Sequence, residues 1–124
     1  MGRVYARDLS SRVPGATLAA VADTDAAAAE EVAGEWDVPR WYPEPEALLD
    51  DKVVDAVVIV SPTNTHRPLA IASLQRGRPT FCEKPPALSL GETAELEREV
   101  TRSGAFFHMG LMRRFDAGYV AAWK

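Results

Sequence analysis

The sequence has almost none of the cysteine and histidine residues from which disulfides and structural metal sites are built, and its apolar runs are short. Cys82 is the only cysteine among 124 residues, and there are two histidines. No intrachain disulfide can form, and no Cys/His cluster has the spacing of a zinc site. Apolar runs stay well short of the roughly 20 residues that span a bilayer, and residues 1–15 lack the apolar core of a secretory signal. We therefore expect no membrane insertion and a reducing, cytoplasmic setting.

Positive charge is also scarce. The chain has 14 Lys and Arg against 18 Asp and Glu, which gives a formal net charge of -4. This field repels phosphate backbones, so we expect no nucleic-acid partner. With 47% hydrophobic and 26% charged residues, the composition is that of a globular chain, and the length suits one domain or part of one.

Strand and helix patterns alternate along the chain. Apolar runs with Val and Ile predict strands at residues 17–23 and 53–60, and shorter runs predict strands at 80–82 and 106–110. Helical patterns occupy about residues 3–12, 25–35, 66–76 and 89–104. The Pro-rich stretch 39–45 is interpreted as a surface turn before a short helix at 45–50. This order predicts an α/β fold, a doubly wound parallel sheet with its ligand site at the carboxyl ends of the strands.

Two candidate cofactor residues lie early in the chain. Gly2 begins the first helical pattern, where the lack of a side chain would let a helix and a strand pack closely. Asp23 ends the first strand candidate, at about the separation from Gly2 at which an acid binds an adenosine ribose. A helix cap explains an Asp at this position equally well. Thr24 and Asp25 follow with a second acid and no Arg, which favours NAD over NADP.

A polar segment, Ser61-Pro62-Thr63-Asn64-Thr65-His66, follows the strongest strand candidate. Hydroxyl and amide side chains beside a helix N-terminus suit a ribose or a pyrophosphate, because the exposed N–H groups and the helix dipole favour negative charge. The alternative is a turn with Thr65 as the helix N-cap, and without further context this alternative is the better one.

A charged pair, Glu83-Lys84, ends a strand candidate and is followed by two prolines. Only three of the 14 basic residues are lysines, and a lysine held at the mouth of such a sheet can orient a substrate hydroxyl. The alternative is a surface ion pair. Cys82 is interpreted as a small buried hydrophobe and His108 as a core histidine, since no neighbouring motif gives either one a chemical role.

These segments together resemble one family. The sequence has a strand ending in Asp23, then Val-Val-Ile-Val-Ser-Pro-Thr-Asn-Thr-His at 57–66, Phe-Cys-Glu-Lys-Pro at 81–85 and Gly-Leu-Met-Arg-Arg-Phe-Asp at 110–116. These motifs resemble those of the Gfo/Idh/MocA oxidoreductases. Glu-Lys-Pro is the motif most specific to that family. The Met112–Asp116 segment is most similar to the inositol 2-dehydrogenase branch, whose members act on polyols.

The resemblance assigns roles residue by residue. Asp23 would hold the adenosine ribose of NAD, and Lys84 would be the catalytic residue, hydrogen-bonded to the substrate hydroxyl, next to a cis Lys84-Pro85 peptide. Arg113 would reach the cofactor and Arg114 the substrate from the last strand. Lys84 would also bind the cofactor, beside the nicotinamide. The remaining cofactor residues that the resemblance implies are Gly2, Ser61, Pro62, Thr63, Asn64, His66 and Glu83. It implies no metal.

The resemblance also implies parts that this sequence does not contain. The family's first strand and the first two glycines of its Gly-x-Gly-x-x-Gly motif would precede Met1, which makes residues 1–124 a partial dinucleotide-binding domain. A second α/β domain with an Asp-x-x-x-His pair would follow. We therefore expect a fragment that is inactive alone, binds dinucleotide weakly and folds marginally. The full-length form would be a homo-oligomer acting on a polyol or sugar; the alternative is a non-catalytic dinucleotide-binding sensor or regulator.

Overall fold

The computed structural model describes residues 1–123. In chain order the elements are α1 (Gly2–Ser11), β1 (Val21–Ala22), α2 (Ala26–Glu35), β2 (Trp41–Tyr42), α3 (Pro45–Asp50), β3 (Val57–Ile59), α4 (Thr63–Gln75), β4 (Thr80–Glu83), α5 (Leu90–Ser103), β5 (Phe107–Gly110), a 3₁₀ helix (Met112–Phe115) and α6 (Ala117–Trp123). Among these residues no helix has both the length and the apolar character that crossing a membrane requires.

The strands form two parallel sheets. β1 pairs with β2, and β3, β4 and β5 pair in that order. Parallel pairing brings the carboxyl ends of the strands within each sheet to one edge, as the alternation of strands and helices predicts. The described residues place no strand between β1 and β3, so each of these two strands has a single hydrogen-bonded neighbour.

Alternation along β4 divides the domain into layers. Cys82 points into the main core, where strand residues meet helices α3, α4 and α5. Phe81 points to the opposite face and meets the ring of Tyr5 from α1, with ring centroids 5.7 Å apart. Helices therefore cover both faces of β4. The main core consists of Leu49, Val54, Val57, Ile59, Ala70, Leu74, Cys82 and Leu96.

Helix α5 forms where the sequence places it. The Ser89 hydroxyl accepts a hydrogen bond from the Glu92 N–H at 3.2 Å, and the Glu92 carboxylate accepts one from the Leu88 N–H at 2.9 Å. Gly104 ends the helix with a φ of 64°, a left-handed conformation that glycine adopts at little cost. The predicted stop and start signals of this helix are confirmed.

Other predicted boundaries are wrong. The strands predicted at 17–23 and 53–60 shrink to Val21–Ala22 and Val57–Ile59, because apolar residues that flank them lie in loops and turns. The segment interpreted as a turn at 39–45 contains β2, which pairs with β1 through Val21 and Trp41. Two residues are too few to show a strand period.

Helix α4 begins three residues before the predicted start. Its first residue is Thr63, and Pro62 is its N-cap, so the Thr63-Asn64-Thr65 stretch is helical and Thr65 is not the cap. The helix tolerates Pro68 near its start. A proline in this position obscures the helical pattern upstream of it, because the residue before a proline usually leaves the α region.

Candidate functional site

A cavity of about 1560 Å³ lies between β1 and β3. Apolar side chains of both strands line its walls, and polar groups from the carboxyl ends of β1 and β3 line one part of it. Four of the predicted cofactor residues line this cavity, namely Gly2, Asp23, Ser61 and Pro62. Thr65, from the same polar segment as Ser61 and Pro62, also lines it. The structure thus brings the beginning of α1 and the ends of two strands to a single space.

Three helices, α1, α3 and α4, begin at this cavity without a capping side chain, and of these only α3 has an acidic residue, Glu46, in its first turn. The N-cap residues of α1 and α4, Met1 and Pro62, make no side-chain cap, whereas α2 and α5 are capped by Asp25 and Ser89. Uncapped N–H groups at a helix N-terminus and the positive end of the helix dipole both attract anions. The pyrophosphate of a dinucleotide fits this donor set.

Gly2 does not need to be glycine for packing in this structure. A methyl group at Gly2 would meet its nearest atom, Cγ2 of Val60, at 3.9 Å, which is ordinary van der Waals contact. The close helix-to-strand packing expected from the sequence is therefore not observed. What Gly2 contributes here is its position at the uncapped N-terminus of α1.

Asp23 lies directly after β1, and its side chain is exposed. Its Oδ1 atom accepts a hydrogen bond from the Asp25 N–H at 2.9 Å, and the described residues give its Oδ2 atom no partner. Asp25, not Asp23, is the cap of α2, because its carboxylate accepts from the N–H groups of Ala27 and Ala28. An exposed carboxylate oxygen at the cavity can accept hydrogen bonds from a ribose diol.

Ser61 is held by a hydrogen-bonded pair of hydroxyls. The Thr65 hydroxyl donates to the Pro62 carbonyl at 2.7 Å, and the Ser61 and Thr65 oxygens are 2.6 Å apart. Since the Thr65 proton is used on the carbonyl, the Ser61 hydroxyl donates to Thr65 and keeps its lone pairs available. Thr63 and Asn64 lie in the first turn of α4 beside this pair, and the Asn64 side chain is exposed.

His66 joins the loop after β3 to the loop after β4. Its ring is buried, with 2% of the residue exposed. Nε2 lies 2.8 Å from the Ser61 carbonyl oxygen and Nδ1 lies 2.7 Å from the Pro85 carbonyl oxygen. Carbonyl oxygens only accept, so a single N–H satisfies one contact and only the doubly protonated ring satisfies both. The ring has no polar atom left for a ligand.

Glu83 and Lys84 have opposite environments. Glu83 is 6% exposed, and its carboxylate accepts from the Tyr5 hydroxyl at 2.5 Å and from the Lys84 backbone N–H at 3.0 Å. Lys84 is exposed, and the ion pairs within residues 1–123 do not include it. The two side chains do not form the surface ion pair that the sequence left open. The Lys84-Pro85 peptide is cis, as the resemblance implies.

Tyr5 belongs to this site, and sequence reasoning missed it. Its ring packs on Phe81, it lines the cavity, and its hydroxyl binds Glu83 across a separation of 78 residues. Burial, and then the hydrogen bond to Glu83, raise the pKa of Tyr5 to about 12. The phenol therefore stays protonated and donates. No local pattern signals this contact, because only the fold brings α1 to β4.

Arg113 and Arg114 do not lie on a strand. Both are in the 3₁₀ helix after β5, so the expectation that they extend from the last strand is wrong. The Arg113 guanidinium lies 3.9 Å from the Asp116 carboxylate and 4.8 Å from the ring centroid of Tyr119. Both arginines are exposed, and neither is among the residues that line the cavity.

Cys82 is fully buried, as interpreted from the sequence. Burial, with a smaller contribution from the charge of Glu83, raises the pKa of the thiol to about 12. A thiol in this state is neither a nucleophile nor a metal ligand. Residues 1–123 contain no group of three or more His, Cys, Asp or Glu side chains arranged to hold a metal ion.

Residues 1–111 match a family described as oxidoreductases with an NAD-binding Rossmann fold. The chain belongs to the Gfo/Idh/MocA oxidoreductase family. The family and the Rossmann-type α/β fold that the sequence predicts are confirmed, and the family's cofactor is NAD, as predicted. The uncapped helix N-termini and the exposed carboxylate at the cavity are the groups that such a dinucleotide needs.

Several relatives that match the chain are inositol dehydrogenases. The chain is 39% identical to the scyllo-inositol 2-dehydrogenase (NAD(+)) of Bacillus subtilis over 122 residues. The match covers 98% of this chain and 36% of that protein. The Lactobacillus casei scyllo-inositol dehydrogenase, solved with NAD(H) and scyllo-inositol, matches with a TM-score of 0.92 at 26% identity, over 98% of this chain and 36% of that one.

A second Lactobacillus casei structure is a myo-inositol dehydrogenase in complex with NAD(H) and myo-inositol. It matches with a TM-score of 0.89 at 32% identity, over 95% of this chain and 35% of its own length. The chain thus spans about a third of the length of these relatives. Their names agree with the predicted enzyme class, an NAD-dependent dehydrogenase.

Proposed function

We propose that residues 1–124 are the partial dinucleotide-binding domain of a cytoplasmic, homo-oligomeric NAD-dependent dehydrogenase that oxidises a secondary alcohol of an inositol or a related polyol or sugar. The observation that carries the proposal is the placement of Lys84. It is an exposed ammonium that makes no ion pair with the described part of the chain, next to the buried carboxylate of Glu83, at the carboxyl end of the central strand of its sheet.

The proposed cofactor contacts lie at the cavity and in the first turn of α4. Asp23 accepts hydrogen bonds from the adenosine ribose, and its negative charge disfavours the 2′-phosphate of NADP. The N-termini of α1 and α4, with Gly2, Pro62, Thr63 and Asn64, face the pyrophosphate. When bound, NAD supplies the hydride acceptor.

The proposed substrate contacts lie further along the same edge. Lys84 donates a hydrogen bond to the hydroxyl that is oxidised and stabilises negative charge that develops on its oxygen. Arg113 reaches the cofactor and Arg114 the substrate. Neither histidine of the described chain is placed to accept the hydroxyl proton, because the ring nitrogens of His66 are taken and His108 lies within β5, outside the lining of the cavity. We assign that base to the part of such a dehydrogenase that this chain does not match.

Two measurements test the proposal. Titration calorimetry with NAD and NADP measures cofactor binding by this chain. For hydride transfer, the chain replaces the matching third of the Bacillus subtilis relative in a fusion protein. NADH absorbance then measures the activity of this fusion with a panel of inositols and sugars. We expect NAD to be preferred, and Lys84→Ala to lower kcat about 100-fold at nearly unchanged NAD affinity.

Lys52 provides the matched control, since it is an exposed lysine in the turn before β3 and is not among the residues that line the cavity. Lys52→Ala should leave both readouts unchanged. Equal losses in the two variants would overturn the role of Lys84. NAD binding without turnover of any polyol would instead favour a sensor of the same fold.

A further inference from the structure

The carboxylate of Glu83 lies in a slot built from three separate elements. The Tyr5 hydroxyl of α1 donates to Oε1, and the Lys84 backbone N–H donates to Oε2. The third side of the slot is Gly110 of β5. A Cβ atom there would lie 2.9 Å from Cζ of Phe81 and 3.2 Å from Cδ and Oε1 of Glu83.

This slot needs a glycine at position 110, because its backbone contacts the carboxylate closely. The pairing of β4 with β5 places these residues side by side, with Glu83 opposite Gly110 and Phe81 opposite His108. The backbone of Gly110 thus limits the space beside the carboxylate, while Tyr5 and the Lys84 N–H fix its orientation.

We propose that Tyr5 is a positioning residue for Lys84, acting through the carboxylate of Glu83. The Tyr5 hydroxyl donates to one oxygen of that carboxylate, and the backbone N–H of Lys84 donates to the other. Lys84 is the residue before the cis peptide bond to Pro85. Fixing the carboxylate therefore fixes the backbone from which the Lys84 side chain extends. The catalytic part of this inference rests on the proposed function, whereas the geometric part does not.

The geometry distinguishes this role from simple packing. The Tyr5 ring, which packs on Phe81, can be kept while the hydroxyl alone is removed. The chain also contains a matched control. The Tyr42 hydroxyl donates to the Asp51 carboxylate at 2.8 Å, so Tyr42→Phe removes the same kind of bond outside the sheet that carries Glu83.

The test is nuclear magnetic resonance of the whole 124-residue chain. In Tyr5→Phe, the Lys84 amide proton should move upfield, because the freed carboxylate spends less time against this N–H. Tyr42→Phe should leave that resonance in place. A Lys84 amide that stays at the wild-type position in Tyr5→Phe, or moves downfield, overturns the proposal.

A second variant tests the route of the effect. In Glu83→Gln the Tyr5→Phe change should move the Lys84 amide less than in wild type, since the charged intermediary is gone. An equal shift in both backgrounds overturns the role of Glu83 as intermediary.

Calorimetry with NAD separates this inference from the proposed function. If the wild-type chain binds no NAD but the Lys84 amide shifts in Tyr5→Phe, cofactor binding is contradicted and the positioning role is supported. If the wild-type chain binds NAD but the Lys84 amide does not shift in Tyr5→Phe, cofactor binding is supported and the positioning role is contradicted.

Discussion

Nδ1 of His66 lies 2.7 Å from the carbonyl oxygen of Pro85, which ties helix α4 to the segment after β4. The other ring nitrogen contacts the Ser61 carbonyl, so one buried side chain connects the two loops that carry most of the proposed site. Neither loop is connected to the other by a backbone ladder at this point. The relative position of the Ser61 and Lys84 segments therefore depends on this ring.

Replacing His66 should be costly for stability. His66→Ala removes the ring from between two carbonyl oxygens and opens a space in a buried region, so we expect a loss of about 2 kcal/mol in the free energy of unfolding. Urea unfolding measures this loss. Asn64→Ala, in the same helix turn but exposed, should change the free energy by less than about 0.5 kcal/mol. Equal effects of the two substitutions would show that the ring does not bridge the loops.

Asp23 should determine cofactor affinity without affecting the fold. Asp23→Asn keeps an oxygen for the Asp25 N–H but removes the charge that strengthens hydrogen bonds to a ribose, so NAD should bind about tenfold more weakly. Calorimetry gives the affinity. Asp25→Asn is the control, because an asparagine still caps α2. An unchanged affinity in Asp23→Asn would leave Asp23 without a role at the ribose.

The thiol of Cys82 should be inert in the folded chain and should weaken it in alkali. Its pKa is raised to about 12 by burial, and an unfolded cysteine ionises near pH 8.5. Between these values the unfolded chain binds fewer protons than the folded one, so stability falls as the pH rises from about 9 towards 12.

Thiol titration and unfolding curves measure this behaviour. At about pH 8 a thiol reagent should label Cys82 only after urea is added. The decline in urea midpoint above about pH 9 should be shallower in Cys82→Ala than in wild type. Rapid labelling of the native chain would contradict the burial of this side chain.

Two leucines provide a direct comparison of core and surface. Leu74 is 1% exposed within the main core, and Leu90 is 86% exposed at the start of α5. Leu74→Ala should lower the free energy of unfolding by about 3 kcal/mol, and Leu90→Ala by less than about 0.5 kcal/mol. Thermal or urea unfolding distinguishes them, and similar losses would place the core elsewhere.

Local signals in the sequence were sufficient to predict the helices that have clear capping and stop residues. They were also sufficient to predict that the strands of the larger sheet exist. Ser89, Glu92 and Gly104 act within a few residues of one another, so their pattern can be read without the fold. β2 was missed because a two-residue strand in a Pro-rich segment has no period, and it exists only because β1 lies beside it.

The site was predictable where it follows strand ends and not where it depends on distant contacts. Asp23, Ser61 and Glu83 could be located because parallel strands end at one edge. Tyr5 reaches Glu83 only through the packing of α1 on β4, and no spacing rule covers such a contact. Arg113 and Arg114 were misplaced because the chain turns into a 3₁₀ helix directly after Gly110.

The order of strands has a consequence for local opening. Among residues 1–123, β4 is the one strand with a hydrogen-bonded neighbour on each side, and β1 has β2 alone. Amide hydrogens in β4 should therefore exchange with solvent last, and those in β1 much earlier. The two ends of the proposed cofactor site belong to units of different opening free energy. The part that carries Asp23 can fluctuate while the part that carries Glu83 stays closed.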